Sequence, residues 1–500
     1  MFTPTISNMK PAQILQKQAF TRILPADNLA ALQTNYAKYN TERGYKEGEL
    51  AYSILTQADF MREFDQDAHK ILSPAYYPNP ISKDPETGQL YERKLARVTV
   101  NLPEIFANQR TALLTGNELD LKLMSGGTSK AMQDRFSRFL EGWAYRNMEV
   151  AVYDLIYSNA VTGDGAVIFF TDSGKVGWRS ASYMKGDVLY PHYDTYGRLA
   201  LFGRRYRMAG EDGKYVTYLD VWDEAKYTRY RSETNKKGTV AWVVDEKPKP
   251  HGFNRVPVSY VRYGAPFWAG AMNDVDNIEM ALSQLVENNK HYALRILYAL
   301  GADMQVKASF DGRPMQINSI DPNAKVGYLE PADASGSFSL QLNRLFKDAY
   351  QAAHCVEAPE IKSGADMSSL TVQMLYADAY HQSLLDAKIF QSGIDDIVSL
   401  FQQGWGIETG KPSDFDESVF RVKGKIHPYI MRSENEEVNN ISILANSGGL
   451  PKKAVADEAY KLGYGTPRNY DDLLQEEHDA LVGEQQAAAG ANSVNESRGE

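Results

Sequence analysis

Several groups of residues in this sequence have types that could carry chemistry. GGTSK, residues 126–130, has the small-residue character of a phosphate-binding loop. That chemistry needs a glycine-rich turn followed by Lys and then Ser or Thr. Here the lysine follows the serine and the pattern's first glycine is missing, so no nucleotide-binding loop is expected. GDG, residues 163–165, reads as a tight turn, since glycine relieves the steric cost there. His192 and Asp194, in YPHYDTYGR, could hold a metal or act as an acid–base pair. No third ligand stands at a recognisable spacing, and Asp194 is more simply the start of a turn. His354 and Cys355 suggest a thiol dyad, but neighbours on a helix lie about 100 degrees apart and do not face each other. Asp274, Asp276 and Glu279 cluster as a cation site would, yet acids are also favoured near a helix N-terminus. None of these sets completes a nucleophile, a base or a metal centre. The expectation is a protein that is not an enzyme and needs no cofactor or metal.

The elements around these residues change period along the chain. Residues 51–72 carry apolar side chains at helical intervals, and 75–91 hold the prolines and the Thr-Gly pair of a loop. Residues 96–116 read as a short strand, a proline and a helix closed by Gly116. A second helical zone covers 129–159. From 163 to 263 the pattern alternates, with a hairpin turn at 172–174, which predicts an antiparallel strand-rich region. Helix returns at 274–300, where Val275, Ile278, Leu282 and Leu285 form one apolar face. Short strands and turns fill 301–338, a helix follows at 338–356, a loop at 358–369 and a long helix from 370 to about 404. Residues 420–433 read as a strand and helices follow; 485–500 lack large apolar residues and read as a disordered tail. The fold class is α+β.

Composition narrows the function classes. A chain of 500 residues is too long for one core, so several regions are expected. The net charge of −10, without a basic block, argues against tight phosphate binding. It is compatible with a surface that nucleic acid slides past. Cys355 is the one cysteine, which rules out an intrachain disulfide and fits assembly in a cytoplasm. The first residues lack the apolar core of a signal peptide, and no apolar stretch is long enough to span a bilayer, so no membrane role is expected.

The order of the segments resembles the portal proteins of tailed bacteriophages, most closely the branch from long-tailed phages of Gram-positive hosts. The resemblance is carried by NLPEIFANQRTALLTGNELDL (101–121), VLYPHYDTYGRLALFGRRYRM (188–208), HGFNRVPVSYVRYG (251–264) and DVDNIEMALSQLVENNKHYALRILYALGADM (274–304). It continues through KVGYLEP (325–331), APEIKSGADMSSLTVQMLYADA (358–379), NEEVNNISILANSGGLPKKAV (435–455) and DDLLQEEHD (471–479). It covers roughly residues 95–480, and the order of the segments weighs more than any one of them. In MSSLTVQML, Leu370 stands where the family often has glycine, which puts the local loop geometry in question.

That resemblance implies a portal fold: a mixed helical and β wing at 1–268, a stem helix at 269–293, a small α/β clip at 294–337 and a second stem helix at 338–356. A tunnel loop at 357–369, a returning wing helix at 370–400, a helical crown at 401–485 and the tail at 486–500 complete it. It implies a ring of about twelve copies at the capsid vertex, as closed symmetry allows. The ring passes double-stranded DNA without sequence preference. It would dock the terminase large subunit during packaging and the head-completion or adaptor protein afterwards, and meet major capsid and scaffolding proteins. Asp276, Glu279 and Glu287 are then the candidates for an acidic channel wall, and Lys362 for a tunnel-loop contact. Arg344 and Lys347 on the second stem helix are candidates for ion pairs with those acids between subunits. If so, Glu279→Lys weakens ring assembly. The alternative is another head–tail connector or virion structural protein, which would lack the helix–module–helix block.

Overall fold

The computed structural model describes residues 57–83, 87–124, 129–209, 215–234, 240–293, 296–300, 325–329, 335–357, 373–429, 434–447 and 455. The chain divides into two compact units: residues 1–358 with 378–429, and residues 359–377 with 430–500.

The first unit begins with α1 (Gln57–Phe64), two single 3-10 turns and the short hairpin β1 (Ile81–Lys83) and β2 (Leu90–Glu92). Then come α2 (Leu102–Thr115), β3 (Asp120–Leu123), α3 (Lys130–Tyr145) and α4 (Met148–Thr162). Pro103 sits in the first turn of α2, where its missing N–H costs nothing. α4 is apolar on nearly every side, which is the pattern of a helix enclosed by others. Leu155, Ile156, Ala160 and Val161 are fully buried. Its Asn159 is buried too and is satisfied, donating to Leu155 O and accepting from Tyr263 N.

The alternating region forms strands as expected. β4 (Asp164–Asp172) and β5 (Lys175–Ala181) are joined by Ser173 and Gly174, both at positive φ, the two-residue turn that matches strand twist. β6 (Val188–Tyr193), β7 (Leu199–Ala209), β8 (Tyr215–Trp222), β9 (Lys226–Thr234) and β10 (Val240–Pro250) follow as an antiparallel meander. β11 (Val258–Arg262) returns to pair with β4, giving a three-stranded sheet in the order β11-β4-β5. The two sheets share a core of Ile168, Leu189, Phe202, Trp222 and Val258. β10 is an edge of the five-stranded sheet, and its pairing with β9 is broken by irregularities at Val244/Glu246 and Glu246/Lys249.

α5 (Met272–Ala293) then leads to β12 (Ile296–Leu300), which pairs antiparallel with β13 (Lys325–Leu329) before α6 (Ser335–Ala352). α5 and α6 pack on each other. α7 (Ala377–Glu408) is continuous over 32 residues, and β14 (Val422–Lys425) pairs with β3. The expected boundary between wing and crown at 400/401 falls inside α7. The helix runs through it to Glu408, and Phe401, Phe415, Phe420 and Val422 all belong to the main core of the first unit. The apolar face of α7 simply continues past residue 400. The second unit includes α8 (Glu434–Asn446). Most of the expected clip, the tunnel loop from residue 358, the remainder of the crown, the tail and residues 1–56 lie outside the described residues.

Two close approaches set how α7 seats. A Cβ on Gly393 would meet Val261 at 2.2 Å, and one on Gly404 would meet Val176 at 2.3 Å. Glycine is therefore what lets the helix lie against β11 and β5. Ser259 of β11 donates its hydroxyl to Gly393 O at 2.8 Å across the first of these contacts.

Candidate functional site

The sequence reading singles out α5, and the structure shows what its acids do. Asp276 Oδ2 accepts from Lys70 Nζ at 2.9 Å. Glu279 is 1% exposed, and its Oε1 takes both His69 Nδ1 at 2.5 Å and the backbone N–H of Val100 at 2.9 Å. Glu287 Oε1 accepts from Ala96 N at 2.5 Å and from Lys290 Nζ at 3.1 Å. Between them Ser283, fully buried, accepts from Val98 N at 2.9 Å. Apart from Lys290 on the helix itself, these partners lie in residues 69–100, so this face of α5 is turned inward onto the chain's own preceding segment.

That corrects the channel-wall expectation for Glu279, which has no surface to offer a channel. Asp276 and Glu287 keep only 16% and 13% of their side-chain surface. It also corrects the strand expected at residues 96–100. Among the described residues that segment pairs with no strand; its alternate N–H groups are satisfied by side chains of α5. Arg344 pairs within its own helix, with Asp348 at 2.9 Å, and Lys347 is exposed. Lys362 lies outside the described residues. Among residues 272–290 of α5 the exposed ones are Asn273, Asn277, Gln284, Asn289 and Lys290, and the first three share one face.

Electrostatics follow from these contacts. Burial alone would push His69 down; the bond to Glu279 and the charges of Glu279 and Glu63 outweigh it and raise His69 above its ordinary 6.5. The Ala96 N–H, with Lys290, holds the Glu287 carboxyl below the usual range. Burial raises Glu63, which stands 3.4 Å from Lys70. Sequence reasoning missed His69, Lys70 and Ser283. The available signal was the polar stripe Glu279, Ser283, Glu287 at intervals of four on a helix otherwise read by its apolar face.

A second inward cluster ties α2 to α7. Arg110 donates to Asp386 Oδ2 at 2.5 Å, to Phe267 O at 2.8 Å and to Tyr263 OH at 3.2 Å, and it lies 4.2 Å over the Phe267 ring. Arg110 and Asp386 are 5% and 1% exposed, so each charge depends on the other.

The residues that could suggest catalysis are engaged elsewhere. Asp194 Oδ1 accepts from Tyr196 N and Arg198 N, closing the turn the sequence predicts. Cys355 is buried and burial pushes its thiol up to about 12, while His354 turns to Asp378 at 2.9 Å. A cleft of about 740 Å³ opens between β5 and β8–β10 and is lined by both Ser180 and His251. Ser180 is bonded to Asp154 and Lys185, and both ring nitrogens of His251 are taken by backbone groups of Asp223 and Phe253. No group of three or more His, Cys, Asp or Glu among the described residues could hold a metal, and no described helix is long and apolar enough to cross a membrane.

The described residues form a mixed α+β body that includes two packed helices with a strand pair between them. The chain belongs to the phage portal protein family: the family described as "Phage portal protein, SPP1 Gp6-like" matches residues 27–462. Among solved structures the chain is similar to one titled "Virion of native gene transfer agent (GTA) particle", at 11% identity, covering 84% of this chain and 97% of that one with a TM-score of 0.35. No curated protein matches.

Proposed function

We propose that the chain closes into a ring of about twelve copies at the capsid vertex, assembled in the host cytoplasm, through which duplex DNA passes in both directions of the viral cycle. The observation that carries this is the block α5–β12–β13–α6, set within a chain matched to portals over residues 27–462. In that reading 269–293 and 338–356 are the stem, 294–337 the clip and 357–369 the tunnel loop. The terminase large subunit docks on the clip during packaging, and the head-completion or adaptor protein binds afterwards. Major capsid and scaffolding proteins meet the outer body, and the protein itself makes no covalent step.

The wall of the channel needs revision within this reading. With the acid face of α5 turned onto residues 69–100, the face left for DNA carries Asn273, Asn277 and Gln284. Amide side chains neither attract nor repel phosphate strongly, which suits a surface that DNA must leave as easily as it enters. Asp276 and Glu287 on α5, Lys362, and pairs of Arg344 and Lys347 on α6 with a neighbouring subunit remain secondary candidates in this reading.

The test is single-particle imaging of the purified protein. Closed rings of about 670 kDa, as about twelve copies of a 56.0 kDa chain would give, with a channel wide enough for a duplex, support the reading. A stable monomer or dimer at high concentration favours a different head–tail connector.

A further inference from the structure

The contacts between residues 96–100 and α5 are periodic. Ala96, Val98 and Val100 donate their N–H groups to Glu287, Ser283 and Glu279 in turn. Every second residue of an extended backbone meets every fourth residue of the helix, running in the opposite direction. The match is geometric: two extended residues advance about 6.6 Å and four helical residues about 6.0 Å. A ladder of this kind can re-form after a shift of one helical turn. Val98 would then face Glu287 and Val100 would face Ser283, so two of the three bonds survive. The ion pairs just upstream are not periodic. The same shift carries Lys70 from Asp276 to Met280, and His69 from Glu279 to Ser283, so both are lost.

We propose that residues 96–100 and α5 form a joint with two registers one helical turn apart, held in the register seen here by the Lys70–Asp276 and His69–Glu279 pairs. Packed elements move between discrete arrangements rather than continuously, and one-turn steps of one element past another are an established form of such movement. The joint gives α5 an axial step that conserves most of its hydrogen bonds to the body. It does not depend on where α5 lies in a ring.

Cysteine pairs test it, since a disulfide forms only when two Cα atoms come within about 7 Å. Val98→Cys with Ser283→Cys reports the observed register, and Val98→Cys with Glu287→Cys reports the shifted one. Each pair is placed in the otherwise native full-length chain and in a chain also carrying His69→Asn and Lys70→Met, then oxidised mildly and read by peptide mass spectrometry. The 98–283 cross-link is expected in the native background. The 98–287 cross-link is expected to rise from background to a major product only when the two pairs are removed. Three results overturn the proposal: no 98–287 product in the unpinned chain although 98–283 still forms there, equal 98–287 product in both backgrounds, or no 98–283 product in the native one. Should the doubly substituted chain fail to fold, Lys70→Met alone, which removes only the partly exposed pair, replaces it with the same expectations.

Discussion

At the scale of single residues, the polar side chains that matter most face inward. Asp386 is the clearest case. Asp386→Ala leaves the Arg110 guanidinium buried without its carboxylate, and is expected to cost about 3–5 kcal/mol in denaturant unfolding. Replacing both, as Arg110→Met with Asp386→Leu, is expected to cost less than either single change. Glu279→Lys belongs to the same class. It sets a cation against His69 inside the chain, so its loss of stability is expected in the isolated subunit, before any ring forms. His69 gives a pH dependence whose sign is fixed by its raised value. Its contribution is fully present below the ordinary 6.5 and is lost as pH rises through the higher folded value. Native protein is therefore expected to lose stability relative to His69→Asn as pH rises from 6.5 through that higher folded value, in thermal melts taken in parallel. Little of this was legible beforehand. Asp276, Glu279 and Glu287 could be placed on a helix from their spacing, but their partners lie about two hundred residues upstream, and a helical wheel says nothing of what covers a face.

At the scale of elements, legibility followed the hydrophobic period. β4–β11 were readable because β-branched and aromatic runs are separated by turn residues, and the turn at Ser173–Gly174 announced itself by residue type. The run at 96–100 has the same β-branched character but pairs with no strand among the described residues; its hydrogen bonds go to side chains of a distant helix. The end of α7 was misplaced for a different reason. Gly404 and Gly406 resemble a stop signal in sequence, yet they are sites of close packing, against Val176 and Phe415. Gly393→Ala tests that reading of small residues on α7. A methyl 2.2 Å from Val261 Cγ2 must displace β11 or the helix, at an expected cost of about 1–3 kcal/mol by chemical denaturation. Ala in place of an open helical glycine would stabilise instead, so the sign alone decides.

At the scale of the whole molecule, the family fixes the class of assembly and the chemistry of α5 bears on how DNA moves through it. Asn277→Lys with Gln284→Lys places two cations per subunit on the exposed face. Rings of this variant are expected to bind duplex DNA measurably more tightly than native rings, with a steeper loss of binding on adding salt, in fluorescence anisotropy titrations. An unchanged salt slope would put that face away from the DNA. The five-stranded sheet carries one more consequence, for the fate of the free subunit. β10 is a long strand with one side unpaired within its sheet, and a crowded cell making many copies of such an edge invites them to stack into fibres. The sequence of that edge, Lys247, Pro248, Lys249 and Pro250 after a broken register, removes amide donors and adds charge where a second strand would have to join. Each copy can thus wait in solution for its proper neighbours without seeding an aggregate in the meantime.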